Sequence, residues 1–246
     1  MMMVNWGSPE SVGQQDDYVM ARRTVLGGLV AMGALVLSGC ATSGIGSALT
    51  GGSATDAEPV RRLMRFSSER AFTWLVQPDG FWTSPVARIP LPVLFTRTGR
   101  TSSPSLRDPK FKLELQHQLN TIAGKSAGAA APLVAQATKQ VAIPDPAGVL
   151  RGGKTEATTL LRNSMGPALV NAMMPGIEAA MQQTTDPTLS KAIASLKGVT
   201  ITDAAHALAL EADNSIWYEI GSAEASIRQD PSQTNDPLLM GIFKAG

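Results

Sequence analysis

Apolar side chains recur at three- and four-residue spacing along most of the chain, which is the period of a helix with one buried face. Val60, Leu63, Met64, Ala71, Trp74 and Leu75 form the first such stripe, with Asp56 as expected N-cap and Pro59 in the first turn, where a missing N–H costs nothing. A second stripe, Phe111, Leu115, Leu119, Ile122 and Ser126, starts after Asp108-Pro109, and Pro132 marks a kink or a new helix. Thr155 to Met165 and Pro167 to Gln182 read as helices, the latter ended or kinked by Pro175, and Leu189 to Leu196 reads as a short amphipathic one. Thr202-Asp203 is expected to cap Ala204 to Ala212, Asp213 to cap a further helix through Arg228, and Pro237 to Phe243 to form a last turn. The β-branched residues never alternate long enough to make a strand, and no internal repeat is visible. The expected fold is all-α: one domain over residues 58–246, with about seven or eight helices separated by proline turns.

One stretch departs from the helical period. From Gln77 to Pro92, Pro78-Asp79-Gly80 spells a turn, and Pro85, Pro90 and Pro92 exclude a helix interior. Phe81, Trp82, Val86, Ile89 and Leu91 are too apolar for a solvated connection, so the stretch is expected to be an ordered loop packed over the helices. A polar gap from Arg100 to Leu106 follows.

The N-terminal 57 residues carry a different pattern. Arg22-Arg23 precedes sixteen uncharged residues, Thr24 to Gly39, which end in Leu37-Ser38-Gly39-Cys40-Ala41. The apolar run is too short to span a bilayer and reads as a cleavable lipoprotein signal over residues 1–39, with the Cys40 thiol as the acceptor of the lipid. Each acyl methylene buried in the membrane contributes about 0.8 kcal/mol, so two or three chains on Cys40 would hold the protein there. Arg22-Arg23-Thr24-Val25-Leu26 also fits a twin-arginine signal, which leaves the general and the folded-export routes both open. Met20 would open a compact basic signal, whereas the residues before it include acidic Asp16 and Asp17. Ala41, with no aspartate after the cysteine, resembles the sorting code for the outer membrane. Ala41 to Ala57 hold four Gly, three Ser, three Thr and four Ala in seventeen positions, so residues 40–57 are expected to be a flexible tether reaching about 20–25 Å.

Charge and composition narrow the partners. Removing Arg22, Arg23, Glu10, Asp16 and Asp17 from 21 basic and 20 acidic residues leaves 19 and 17, a balance without the basic excess that nucleic-acid binding requires. A single cysteine and two histidines, His117 and His206, argue against a disulfide framework and a transition-metal site, and no cofactor is expected.

Two letter patterns invite chemistry. Gly148 to Thr155, Gly-Val-Leu-Arg-Gly-Gly-Lys-Thr, matches the phosphate-binding P-loop, but that loop must join a buried strand to a helix, and Pro144-Asp145-Pro146 denies it the strand. Nucleotide binding is therefore not expected; a glycine turn capped onto the next helix is, with a helix N-terminus beside Lys154 that could receive an anion. Gly124-Lys125-Ser126-Ala127-Gly128 matches the nucleophile elbow in letters only, since a helical stripe precedes it. Gly124, Ala127, Gly128 and Ala131 read instead as a close helix–helix contact. His117 is expected on the solvated side of its helix and His206 partly buried and hydrogen-bonded. Met165, Met173, Met174 and Met181 read as fillers of core gaps. No catalytic constellation is assigned.

Several short elements stand in a set order along the chain: Pro78-Asp79-Gly80-Phe81, Arg88-Ile89-Pro90-Leu91-Pro92, Leu119-Asn120 with a downstream Ala131-Pro132, Asp145-Pro146-Ala147-Gly148-Val149-Leu150, Ala157-Thr158 with Arg162, and Ile227-Arg228 before Asp230-Pro231. In these the chain resembles a family of proteobacterial envelope proteins catalogued as a domain of unknown function, over roughly Leu63 to Phe243. It departs from the family where Thr121-Ile122-Ala123-Gly124 lacks the usual acidic residue. The resemblance implies export and a helical fold and brings no activity. It singles out Asp79, Arg88, Asn120, Arg162, Glu224 and Arg228 as candidates for a shared ligand groove. Turn-forming and capping roles are the alternative, and for Arg228 a helical pair with Glu224 suffices. The chain is thus expected to be a lipid-anchored, periplasm-facing binding or scaffolding module that takes an envelope protein or an apolar ligand. An envelope hydrolase is the competing expectation.

Overall fold

A computed structural model describes residues 57–96 and 104–244. The signal segment, Cys40, the tether, the Asp56 cap and most of the polar gap after Arg100 lie outside the described residues. Every regular element described is helical: α1 (Glu58–Leu75), α2 (Gly80–Thr83), α3 (Val93–Thr96), α4 (Pro109–Ala127), α5 (Ala131–Gln140), α6 (Pro146–Arg151), α7 (Glu156–Met165), α8 (Ala168–Gln182), α9 (Pro187–Ala194), α10 (Ile201–Gln229) and α11 (Pro237–Lys244), with single 3-10 turns at Pro104–Arg107 and Pro231–Thr234. The fold is all-α, and the helix number exceeds the expected seven or eight because α2, α3 and α6 are single-turn pieces inside segments that read as loops.

Aspartates before proline set several starts: the expected one at Asp108-Pro109 and two more at Asp145 and Asp186. Asp108 accepts from the Lys110 N–H at 2.9 Å, Asp145 from Gly148 at 2.8 Å and Asp186 from Leu189 at 2.7 Å. Pro132 begins α5 rather than kinking α4. Pro175 neither ends nor delimits a helix: α8 runs through it. The carbonyl that loses its partner there is that of Asn171, which is exposed, so water can satisfy it.

The largest departure concerns α10. Thr200, not Thr202-Asp203, is its N-cap, in a reciprocal box in which the Asp203 N–H donates to the Thr200 hydroxyl at 3.0 Å and the Thr200 N–H to the Asp203 carboxylate at 2.9 Å. Hydrogen bonds from Thr200 hold the Asp203 carboxyl below its ordinary range. No break follows at Asp213, and α10 continues for 29 residues. Asp213 is tolerated inside it because its carboxylate accepts from the Trp217 indole N–H one turn on, at 2.9 Å. Ala204, Ala205, Leu208, Ala209, Ala212, Ile216, Ile220, Ala223 and Ile227 are buried along it, and the alanines let neighbours approach closely. α10 is thus the axis of the core, packed against α8 and α1 and flanked by α7 and α4.

Around this axis α1 buries Val60, Leu63, Met64, Ala71 and Leu75, and α4 buries Leu115, Leu119 and Ile122, as their spacing predicts. Trp74 does not join them: it lies half-exposed beside the turn that ends α1. Of the small residues expected to make a close helix contact, Ala127 is buried and Gly124 approaches the end of α1 and the Phe81 ring, whereas Gly128 is exposed; the close approach of α4 to α8 is made one position away from Ala127. Ser126 of α4 is buried against Gly176 of α8, where a Cβ would stand 3.3 Å from the Ser126 hydroxyl.

The proline-rich stretch is ordered and packed down. Phe81, Ala87 and Ile89 are buried, Trp82 and Leu91 are half-buried, and Val86, expected inside, is exposed. Asp79 adopts the left-handed conformation at φ 58°, and Gly80 then sits so close to the end of α1 that a Cβ would lie 2.3 Å from the Trp74 carbonyl oxygen. Only glycine fits there.

Candidate functional site

The six candidate residues occupy three separate places. Three of them hold the proline-rich loop. Asn120, buried on α4, accepts from the Ile89 N–H at 2.9 Å and donates to the Ile89 carbonyl at 3.0 Å, so one amide pairs with the loop as a neighbouring strand would. Its Nδ2 also donates to the Gln116 carbonyl at 2.8 Å. Asp79 meets Nε2 of His117 at 2.8 Å. His117 in turn lies edge-on to Trp82, ring centroids 4.9 Å apart, and the Arg88 guanidinium stacks over the Trp82 ring, 3.4 Å from its centroid. His117 is therefore half-buried and paired, not a free surface histidine; its position beside the loop turn could not be read from its own helix. His206, by contrast, is exposed.

Glu224 and Arg228 act elsewhere. The fully buried Glu224 carboxylate accepts from the Ala157 N–H at 3.0 Å, the Thr158 N–H at 2.7 Å and the Thr158 hydroxyl at 2.6 Å, which caps the N-terminus of α7 from a helix distant in sequence. Arg228 donates to Glu224 at 2.9 Å and to the carbonyls of Leu150 at 2.8 Å and Val149 at 2.9 Å, closing the C-terminal end of α6. One ion pair thus clamps both ends of the Gly152–Thr155 link. A helical pair worth a few tenths of a kcal/mol does not describe it.

The same contacts dispose of the P-loop pattern. Residues 146–151 are a helical turn instead of a cradle, and the first free N–H groups of α7 are already bound by a buried carboxylate, in the place where a phosphate would have to sit. The N–H groups of that helix N-terminus are therefore not free for the anion they could have received. Ser126 likewise lies within α4 and not on a strand-to-helix elbow. No group of three or more His, Cys, Asp or Glu that could hold a metal occurs among the described residues, and none of their helices is long and apolar enough to cross a membrane.

Arg162, the sixth candidate, lines an open groove of about 840 Å³ between α7 and α10. One wall is the α7 stripe Thr155, Thr158, Thr159, Arg162, with Lys154 and Asn163 at its ends. The other is Trp217, Tyr218, Gly221, Ser222 and Ala225 of α10, and Val86 of the loop reaches the rim. Gly221 brings the walls together: a Cβ there would stand 3.1 Å from the Thr155 methyl. Behind the groove Arg162 donates to Asn214 at 2.5 Å and faces Asp213 at 3.5 Å. Burial pushes the Asp213 carboxyl above its ordinary value, against the opposing pull of Trp217 and Arg162. The size is that of a small-molecule site. The α7 half of this wall was visible as a three- and four-residue stripe of Thr and Arg, and a glycine in the middle of a helix signals a close approach. Tyr218 and Trp217 gave no such signal.

A carboxyl whose folded pKa is raised weakens the fold as pH rises, because the unfolded chain loses its proton first. Asp213→Asn, which keeps the acceptor for Trp217, is therefore expected to be at least as stable as the parent at pH 7. It should lose that advantage when both are unfolded in acid below the ordinary carboxylate pKa. Urea titrations at the two pH values check this, and a variant less stable at pH 7 than in acid, relative to the parent, contradicts it.

These features define a single helical domain with a ligand-sized groove at its surface. Residues 51–244 match the model of a family described as Protein of unknown function (DUF4197), and the chain belongs to that family. No curated protein and no solved structure matches the chain.

Proposed function

We propose that the protein is a lipid-anchored binding module of the cell envelope, held by acyl chains on Cys40 at the periplasmic face of the outer membrane, which receives its ligand in the α7–α10 groove. The groove supports the binding part of this reading: it has the volume of a ligand site, small apolar residues Gly221 and Ala225 in its α10 wall, and hydrogen-bonding side chains on both helices. The anchor rests on the sequence from Leu37 to Ala41. Export follows the general or the twin-arginine route.

A Cys40→Ser chain is expected to leave the outer-membrane fraction and to appear unprocessed or soluble. If it sediments with the outer membrane as the parent does, the anchor is wrong. Capture of the lipidated parent from membranes, with proteins and lipids both identified, then tests the groove: Tyr218→Ala should release what the parent holds.

One observation favours the rival reading of an envelope hydrolase, the raised carboxyl of Asp213 beside Arg162. In that reading Asp213→Asn abolishes a turnover that the parent displays, whereas a binding module keeps its ligand in that variant.

A further inference from the structure

The groove carries two cations, one that the fold leaves unpaired among the described residues and one that it engages through a single nitrogen. Lys154 and Arg162 both line it and no carboxylate does. Lys154 lies in the turn two residues before α7 and Arg162 six residues along it, so about 9 Å of helical rise, together with the turn, separates them, one cation toward each end of the groove. Lys154 makes no hydrogen bond or ion pair among the described residues, and Arg162 uses only Nη2, on Asn214 and Asp213. Between the two cations, the hydroxyls of Thr155, Tyr218 and Ser222 have no side-chain partner among the described residues, and the Tyr218 side chain is 60% exposed.

Resting on the reading of this groove as the ligand site, we propose that it binds an anionic oligosaccharide. Acidic groups at two points along the chain of sugars meet Lys154 and Arg162, and a sugar face lies on the Tyr218 ring. Two cations at this separation suit a ligand with spread negative charge better than one with a single anionic group. An acidic peptide suits the walls less well. Extended peptide brings a row of N–H donors, and these walls are helices without a strand edge, whose lining offers no carboxylate to accept them. Sugar hydroxyls both donate and accept, which matches the free hydroxyls and the Asn163 amide.

Calorimetric titration of the full-length chain in detergent micelles, at low ionic strength, tests the assignment with four probes: trigalacturonate, neutral maltotriose, hexaglutamate and inorganic phosphate. Trigalacturonate is expected to bind, to weaken as salt rises, and to lose about tenfold or more in affinity on Lys154→Glu, the loss of one charge-assisted contact. Lys154 is unpaired, so that variant should leave the thermal transition unchanged and the loss is not one of folding. Tyr218→Ala should weaken trigalacturonate as well. Equal binding of maltotriose, preference for hexaglutamate, binding of phosphate alone, or no binding at all each overturns the proposal. If no sugar binds but Tyr218→Ala still releases the partner captured from membranes, the saccharide assignment fails and the groove stands as a binding site. If that variant also changes nothing in the capture, the reading of the groove fails with it.

Discussion

Glu224→Ala is expected to destabilise the domain by about 3–5 kcal/mol, the cost of breaking a buried ion pair from one side. The carboxylate is 0% exposed and receives four donors: two N–H groups and a hydroxyl from the start of α7, and the Arg228 guanidinium. Alanine orphans them all. The N–H groups of Ala157 and Thr158 lose the only cap that α7 has, since the Thr155 side chain supplies none. Arg228 is left beside the Val149 and Leu150 carbonyls with its charge uncompensated at 10% side-chain exposure. Arg228→Ala should cost less, because Glu224 then keeps three donors, and Glu224→Gln should fall between the parent and Glu224→Ala, because its carbonyl still accepts from α7. Urea unfolding followed by helicity ranks the three. A loss below about 1 kcal/mol for Glu224→Ala, the range of an exposed pair, would mean that water reaches the carboxylate and that the clamp between α6 and α7 is not what holds the link. Thr158 contacts Glu224 on one side and lines the groove on the other, so the same variant should also loosen the groove wall.

This clamp shows where sequence reading stops. The start of α4 was legible because Asp108 stands next to the proline and the N–H group it serves; Asp145, read as part of a turn, and Asp186 carry the same local chemistry, and the structure shows helix starts there too. The buried stripes of α1 and α4 were legible for the same reason, since period and face are local. The cap on α7 comes from a residue 67 positions away, which no window along the chain contains. Glu224 and Arg228 were visible as a helical pair, and Ala157-Thr158 with Arg162 as part of the family resemblance; that the first pair closes the second element is a tertiary fact. The continuity of α10 was hidden in the opposite way. Asp213 has a capping side chain, but its partner is Trp217 in the same helix and not an exposed N–H, so the local signal pointed to an end that packing overrides. The P-loop letters failed because they encode a shape that needs a strand before them, and the chain puts a proline-capped helical turn there.

Phe81→Ala is expected to cost about 3–5 kcal/mol, and Trp82→Ala only about 1–2 kcal/mol, although the two neighbours read alike from sequence. Phe81 is 1% exposed and wedged where the loop meets α1 and α4: a Cβ on Gly124 would touch its ring at 3.7 Å, and Gly80 before it has no room to move away from the Trp74 carbonyl. Truncation there leaves a cavity that the surrounding backbone cannot fill. Trp82 is half-buried and held by its edge contact to His117 and the Arg88 stack, both of which can be replaced by water at little cost. The loop should nevertheless stay closed in Trp82→Ala, because its backbone is tied by Asn120 at Ile89, and by Ser84, which accepts from the Ala87 N–H at 2.9 Å and donates to Glu219 at 2.6 Å. Trypsin reports the difference at Arg88, a residue whose side chain is exposed and whose backbone is flanked by those ties. Cleavage there should be slow in the parent, nearly as slow in Trp82→Ala, and many times faster in Phe81→Ala, where the population of open loop rises with the lost stability. Equal costs for the two substitutions, or rapid cutting at Arg88 in the parent, would mean that the loop is held by its stacked surface residues rather than by Phe81 and the Asn120 amide.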